Sequence, residues 1–167
     1  MTHLTSPANP ARSGPPAHSR PVWQVSAFAG LTAAVATELY GLVARAAGVP
    51  MSAAGSGATT AQPVTVGMFA MGTLLCTFLA TILAMVLARF VARPARAFAV
   101  ATVVLTALSL AVPLSAADTA AATRLTLAGA HLLAAAIIIP TVSRRLAVSR
   151  RLTQPRRPSQ AAESSGA

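Results

Sequence analysis

Four long apolar segments constrain the fold of this chain more than any other feature of its sequence. Each is close to the roughly 20 residues that an α-helix needs to cross about 30 Å of hydrocarbon. Lipid offers no hydrogen-bond partner to a peptide group, so a segment that crosses it must satisfy its own backbone, as a helix does. The predicted helices span residues 22–44, 64–88, 97–115 and 123–142.

The expected fold is all-α: an integral membrane protein with an antiparallel four-helix bundle over residues 22–143. The first apolar run is longer than the about 7–15 residues of a cleaved signal peptide, so we expect it to be retained. Residues 1–21 and 144–167 are rich in Pro, Ser, Ala and Arg, which predicts disordered tails. Pro113 and Pro140 lie near predicted helix ends, where a missing backbone N–H costs least.

The distribution of arginine predicts the orientation of the chain. The net charge is +10, and all 13 basic residues are Arg. Eleven of them lie in the two tails and in the connection between the second and third helices, whereas only Arg45 and Arg124 lie at the opposite helix ends. By the positive-inside rule, both termini are cytoplasmic and residues 48–63 are external in a multi-pass plasma-membrane protein.

The distribution of arginine also indicates which molecules the chain binds. Because the arginines flank apolar segments, they indicate membrane topology rather than nucleic-acid binding. Three arginine pairs follow the fourth helix, and we expect this C-terminal tail to attract anionic headgroups of the lipid bilayer. The sequence does not indicate protein partners, and it leaves open whether the chain associates with a second copy of itself.

Small and polar residues recur every three or four positions in each predicted helix, so they share one helix face. Membrane helices pack through such faces, because lipid supplies no hydrophobic drive for association. These stripes are therefore expected to face the bundle interior. They comprise Ser26, Gly30, Ala34, Glu38, Gly41 and Arg45; Thr73, Thr77 and Thr81; Thr102, Thr106 and Ser109; and Arg124, Ala128, His131 and Ala135.

Glu38 and His131 form a candidate intramembrane polar pair. Glu38 precedes the outer-boundary charge Arg45 by seven residues, and His131 follows the other, Arg124, by seven. At about 1.5 Å per residue, both lie about 10 Å below the outer boundary, and ionisable groups within a span usually face the protein interior. Alternatively each residue is tolerated singly, Glu38 by reaching Arg45 and His131 by bonding a Thr or a backbone carbonyl.

The sequence contains no pattern that indicates catalysis, a cofactor or a metal. It has no phosphate-binding glycine motif, no HExxH and no CxxC, and its single cysteine, Cys76, lies inside an apolar run. One histidine within the bundle is too few ligands for a zinc or haem site. We therefore expect no catalytic, cofactor-binding or metal-binding residues, and a protein that is not an enzyme.

Three segments carry a resemblance to a known family. ARAAGV (residues 44–49) closes the first helix, and LTALSLAVP (105–113) with LAGAHLLAAAIIIP (127–140) fill the third and fourth. They resemble an uncharacterised family of small actinobacterial four-helix membrane proteins, domain of unknown function 6069, over about residues 25–146. The resemblance implies this topology, with His131, Ser109 and Pro113 as shared positions, and it implies no reaction. Glu38 departs from the uncharged polar residue typical of the family, which argues against a shared role.

A weaker resemblance is to small multidrug-resistance exporters, which also have four helices and a glutamate in the first, followed three positions on by a small residue, here Gly41. This chain departs from them in its 16-residue loop 48–63 and in lacking their substrate-contacting aromatic residues. The sequence thus predicts a non-enzymatic structural or accessory membrane protein. The alternative is a small proton-coupled transporter that uses Glu38.

Overall fold

The computed structural model describes residues 20–55, 58–116 and 118–153 of the chain. The tail predictions for residues 1–19 and 154–167 lie outside these described residues. Four of the described helices are long and apolar enough to cross a membrane, as the sequence predicted. The elements in chain order are α1 (Val22–Ala46), β1 (Ser52–Ala53), β2 (Gln62–Pro63), α2 (Met68–Phe90), α3 (Pro94–Ser115) and α4 (Ala121–Thr153).

The four helices form a bundle in which sequence neighbours lie side by side. α1 packs along both α2 and α4, and α3 packs along α4, whereas α2 and α3 share a smaller contact. Gly129 of α4 admits the Tyr40 side chain of α1, because a Cβ atom built there would lie 3.1 Å from Tyr40 Cζ. The predicted antiparallel four-helix bundle is therefore confirmed.

The stripes of small and polar residues face inward, as predicted. Ser26, Gly30 and Ala34 of α1 are buried, and so are Thr73 and Thr77 of α2. The outward faces carry large apolar side chains; Phe28, Phe78 and Leu108 are each more than 60% exposed. Such an exposed apolar belt is unfavourable in water and is what lipid requires of a membrane bundle.

The apolar core lies at the arginine-rich end of the bundle. Phe98 at the start of α3 is fully buried and packs with Ala33 of α1 and Ala84 of α2. Val142 and Leu146 of α4 complete this cluster, each only 1% exposed. This cluster ties all four helices together at one end.

The C-terminal end of α4 differs from the sequence prediction. The predicted helix ended at residue 142, with a disordered tail from 144, but α4 continues to Thr153. Pro140 thus lies well inside the helix rather than near its end, and its ring removes one backbone hydrogen bond. Burial of Val142 and Leu146 against Phe98 offsets that loss, which a prediction from hydropathy and proline position alone does not include.

The start of α2 also differs from the prediction. The predicted helix began at residue 64, whereas α2 begins at Met68. Residues 62–64 instead pair with residues 51–53: Ser52 is opposite Pro63, and the Val64 N–H donates to the Met51 carbonyl at 2.8 Å. This short hairpin keeps Val64 out of the helix. It also fixes where the unpaired N–H groups of the α2 N-terminus lie.

Candidate functional site

The intramembrane carboxylate of Glu38 binds the N-terminus of α2. Its Oε1 accepts a hydrogen bond from the Gly67 N–H at 2.8 Å, and its Oε2 accepts one from the Ala70 N–H at 3.1 Å. The first N–H groups of a helix have no partner within the helix, and α2 has no side-chain cap of its own. Glu38 therefore caps α2 from a neighbouring helix, where the positive end of the helix dipole favours a negative charge.

Gly41 explains how α2 comes close enough for this contact. It lies three residues after Glu38 on the same face of α1 and is buried. A Cβ atom at Gly41 would lie 2.8 Å from Cδ2 of Phe69, the second residue of α2. The absent side chain lets Phe69 pack directly on the α1 backbone, and this places the first turn of α2 beside Glu38.

Arg45 completes the polar cluster two turns after Glu38 along α1. Its Nη2 donates to the Val64 carbonyl at 2.6 Å, and its Nη1 lies 3.9 Å from Glu38 Oε1. The two side chains are only 21% and 16% exposed, and the guanidinium also lies 5.9 Å from the centre of the Phe69 ring. Arg45 thus compensates the part-buried charge of Glu38 and holds the segment that leads into α2. We call Glu38, Arg45 and the α2 N-terminus the outer polar cluster.

The loop between α1 and α2 is fastened over this end of the bundle. The Ala54 N–H donates to Thr119 Oγ1 at 3.1 Å, and the Ala61 N–H donates to Asp118 Oδ2 at 3.4 Å. The Thr123 hydroxyl, at the start of α4, donates to the Pro50 carbonyl. Asp118 has a positive φ of 46°, a conformation that Asp tolerates better than most residues. The α3–α4 connection therefore holds the loop that the sequence predicted to be external.

His131 and Glu38, the predicted polar pair, make no direct bond with each other in the structure. The His131 Nδ1 pairs with the carbonyl of Leu127, one turn back on its own helix, at 2.8 Å. Both oxygens of Glu38 are already bonded to backbone N–H groups. No ion pair within 4.0 Å connects the two side chains in the described part of the chain. The alternative reading holds instead: Glu38 reaches Arg45, and His131 bonds a backbone carbonyl.

The two outer-boundary arginines have different roles. Arg45 belongs to the outer polar cluster, as its spacing from Glu38 indicated. Arg124 lies in the first turns of α4, half-buried, and its Nε has no hydrogen-bond partner among the described residues. Sequence reasoning missed Gly67, Ala70 and Val64, which act through backbone atoms. One sequence signal could have located these partners. Gly67 precedes an apolar run, and a glycine there indicates a helix that begins without a capping side chain of its own.

A row of threonine hydroxyls continues the polar interior towards the bundle centre. Thr37 Oγ1 of α1 lies 3.0 Å from Thr73 Oγ1 of α2. Thr77 donates to the Thr73 carbonyl and Thr81 to the Thr77 carbonyl, each at 2.7 Å. These bonds satisfy the hydroxyls within the protein. Within the described residues, no three His, Cys, Asp or Glu side chains come together to hold a metal ion.

The fold and the site define the class of this protein: it is a multi-pass membrane protein in which a part-buried ion pair holds the N-terminus of one helix. A family model described as "Family of unknown function (DUF6069)" matches residues 17–148. The chain belongs to this family, which is the one that its sequence motifs resembled. No curated protein and no solved structure matches the chain.

Proposed function

We propose that this protein is a non-enzymatic structural or accessory component of the plasma membrane, with both termini in the cytoplasm. The observation that supports this most directly is the bonding of Glu38. Both of its oxygens accept hydrogen bonds from backbone N–H groups, and Arg45 lies beside it. A carboxylate held in this way maintains the connection between α1 and α2.

The alternative function, proton-coupled transport through Glu38, makes a different demand on the site. A transport carboxylate must be reached by water from each side of the membrane in turn, and must exchange its partners during the cycle. Two shallow grooves lie on the described surface, one between α1 and α4 and one on the outward side of α1, and neither is lined by Glu38. The bonding of Glu38 therefore favours the structural role.

Carboxyl labelling distinguishes the two functions. The full-length protein in lipid vesicles is treated with a water-soluble carbodiimide and an amine, and modification is mapped by mass spectrometry. Asp118 is exposed at the same end of the bundle and serves as the internal control. The structural role predicts that Asp118 is modified while Glu38 is protected at least tenfold.

Comparable modification of Glu38 and Asp118 would contradict the structural role and favour the transporter. A second readout is the proton flux of vesicles under an imposed pH gradient. Wild-type and Glu38→Gln proteins are expected to give equal fluxes. A flux that wild-type protein supports and Glu38→Gln abolishes would also contradict the proposal.

A further inference from the structure

A shallow groove runs between α1 and α4 at the arginine-rich end of the bundle. It has a volume of about 260 Å³ and is lined by Arg20, Phe28 and Thr32 on the α1 side, and by Ile137 and Thr141 on α4. Phe28 is 61% exposed, so the groove opens outward rather than into the core. In a membrane bundle this surface faces lipid.

The groove continues along α1 towards the middle of the bundle. A second depression of about 470 Å³ is lined by Leu31, Val35 and Leu39, and it shares Thr32 with the first. From residue 25 to residue 39 the track is about 21 Å long at ~1.5 Å per residue. One leaflet of the hydrocarbon core is about 15 Å thick, so the track has room for a full acyl chain.

The charge at the mouth of the groove is positive, and among the described residues it has no carboxylate partner. Arg20 lies there, with its guanidinium carbon 5.9 Å from the centre of the Phe28 ring. Arg144 is exposed and follows Thr141 by three residues and Ile137 by seven, so it belongs to the same face of α4. The described residues contain two carboxylates, Glu38 and Asp118, and both lie at the opposite end of the bundle.

The geometry points to a binding site for one anionic phospholipid. Arg20 binds the headgroup phosphate and Arg144, on the same face of α4 as Thr141, adds to the positive charge there, while an acyl chain lies along Phe28, Thr32 and Val35. The Thr32 and Thr141 hydroxyls are compatible with an apolar chain, because each donates within its own helix, to the Phe28 and Ile137 carbonyls. The inference rests on the membrane location in the proposed function, but not on the role of Glu38 or on which leaflet the arginines face.

Lipid binding to the purified full-length protein tests the site. Native mass spectrometry in detergent compares phosphatidylglycerol with phosphatidylcholine of the same acyl chains. Wild-type protein should prefer phosphatidylglycerol, and Arg20→Gln should reduce its binding about fivefold, the contribution expected of one arginine near a lipid surface. The matched control is Arg96→Gln, an exposed arginine at the same end of the bundle but in α3; it should retain the wild-type affinity.

A second variant tests the acyl track. Thr32→Phe places a ring in the groove from an exposed position and should weaken binding of both lipids. Its control is Leu75→Phe on the exposed face of α2. Equal losses in Arg20→Gln and Arg96→Gln, or undiminished binding to Thr32→Phe, would overturn the site. Those outcomes leave the proposed function intact, because carboxyl labelling of Glu38 tests it separately.

Discussion

At the scale of single residues, the bonding of Glu38 shows how a carboxylate can be accommodated in a membrane helix. Its two hydrogen bonds are charge-assisted, and such bonds are roughly twice as strong as neutral ones. Because it lies 3.9 Å from Arg45, neither charge is buried alone. An isolated charge at the centre of a span would cost about 2.5–3.5 kcal/mol on insertion scales.

Replacing Glu38 by Gln should therefore lower the stability of the protein in detergent. The amide keeps one acceptor oxygen but turns an NH₂ group towards a backbone donor, so we expect a loss of about 1–3 kcal/mol in the free energy of unfolding. Asp118→Asn is the matched control, because Asp118 is exposed and accepts a longer bond of 3.4 Å. Its effect should stay within about 0.5 kcal/mol. Equal losses in both variants would contradict the capping role.

Double-mutant cycles should separate the observed partner of Glu38 from the one that the sequence suggested. Glu38→Leu and His131→Leu should be additive within about 0.5 kcal/mol, because the residues share no bond. Glu38→Gln and Arg45→Gln should show a coupling energy of at least about 0.5 kcal/mol, as contacting charged groups do. Coupling between Glu38 and His131 without coupling to Arg45 would reverse our assignment.

At the scale of secondary-structure elements, α1 and α2 pack by close approach. A Cβ atom built on Gly30 would lie 2.9 Å from Thr77 Cβ, and closer still to its methyl group. Gly30→Ala should therefore destabilise the protein by about 1–3 kcal/mol, as overpacking does in close-packed cores. Thermal unfolding in detergent measures this.

The chain offers a matched control for that substitution in Gly72 of α2, where an added Cβ would meet nothing within 4 Å. Gly72→Ala should leave the stability unchanged or raise it by up to about 1 kcal/mol, because Ala favours the helix. Thr77→Ser removes the methyl group nearest Gly30 and should restore part of the loss in Gly30→Ala. If Gly30→Ala and Gly72→Ala behaved alike, the close contact would be refuted.

Much of the architecture could be predicted from sequence because lipid imposes simple rules. Length and hydropathy located all four helices, and the spacing of small residues identified their inward faces, including Gly30 and Thr77. The helix ends that the sequence did not predict depend on contacts between segments that are distant in the chain. Leu146 extends α4 by packing in the Phe98 cluster, and the pairing of residues 51–53 with 62–64 delays α2.

The candidate site was harder to predict than the fold. Glu38 and His131 were predicted to pair because they lie at the same depth in the membrane. Depth does not determine which face of one helix packs against which face of another. The partners of Glu38 are backbone N–H groups of Gly67 and Ala70, and backbone donors leave no residue-type signature. Only Arg45 could be found, because it shares a helix face with Glu38 at a spacing of seven residues.

At the scale of the whole molecule, the bundle has two unlike ends. One end holds the Phe98 cluster, most of the described arginines and the groove with Arg20 at its mouth. The other end holds the outer polar cluster and the fastened loop. The proposed orientation, with the arginine-rich end cytoplasmic, follows from this distribution of arginines by the positive-inside rule.

Cysteine accessibility in intact cells tests the four-span topology most directly. In a Cys76→Ala background, single cysteines are placed at Thr60, in the loop between β1 and β2, and at Ala92, in the turn between α2 and α3; both positions are exposed. An impermeant thiol reagent should label Thr60→Cys in intact cells, and should label Ala92→Cys only after the membrane is opened. Labelling of Ala92→Cys but not Thr60→Cys in intact cells would contradict the orientation. Equal labelling of both would contradict a membrane-spanning α2.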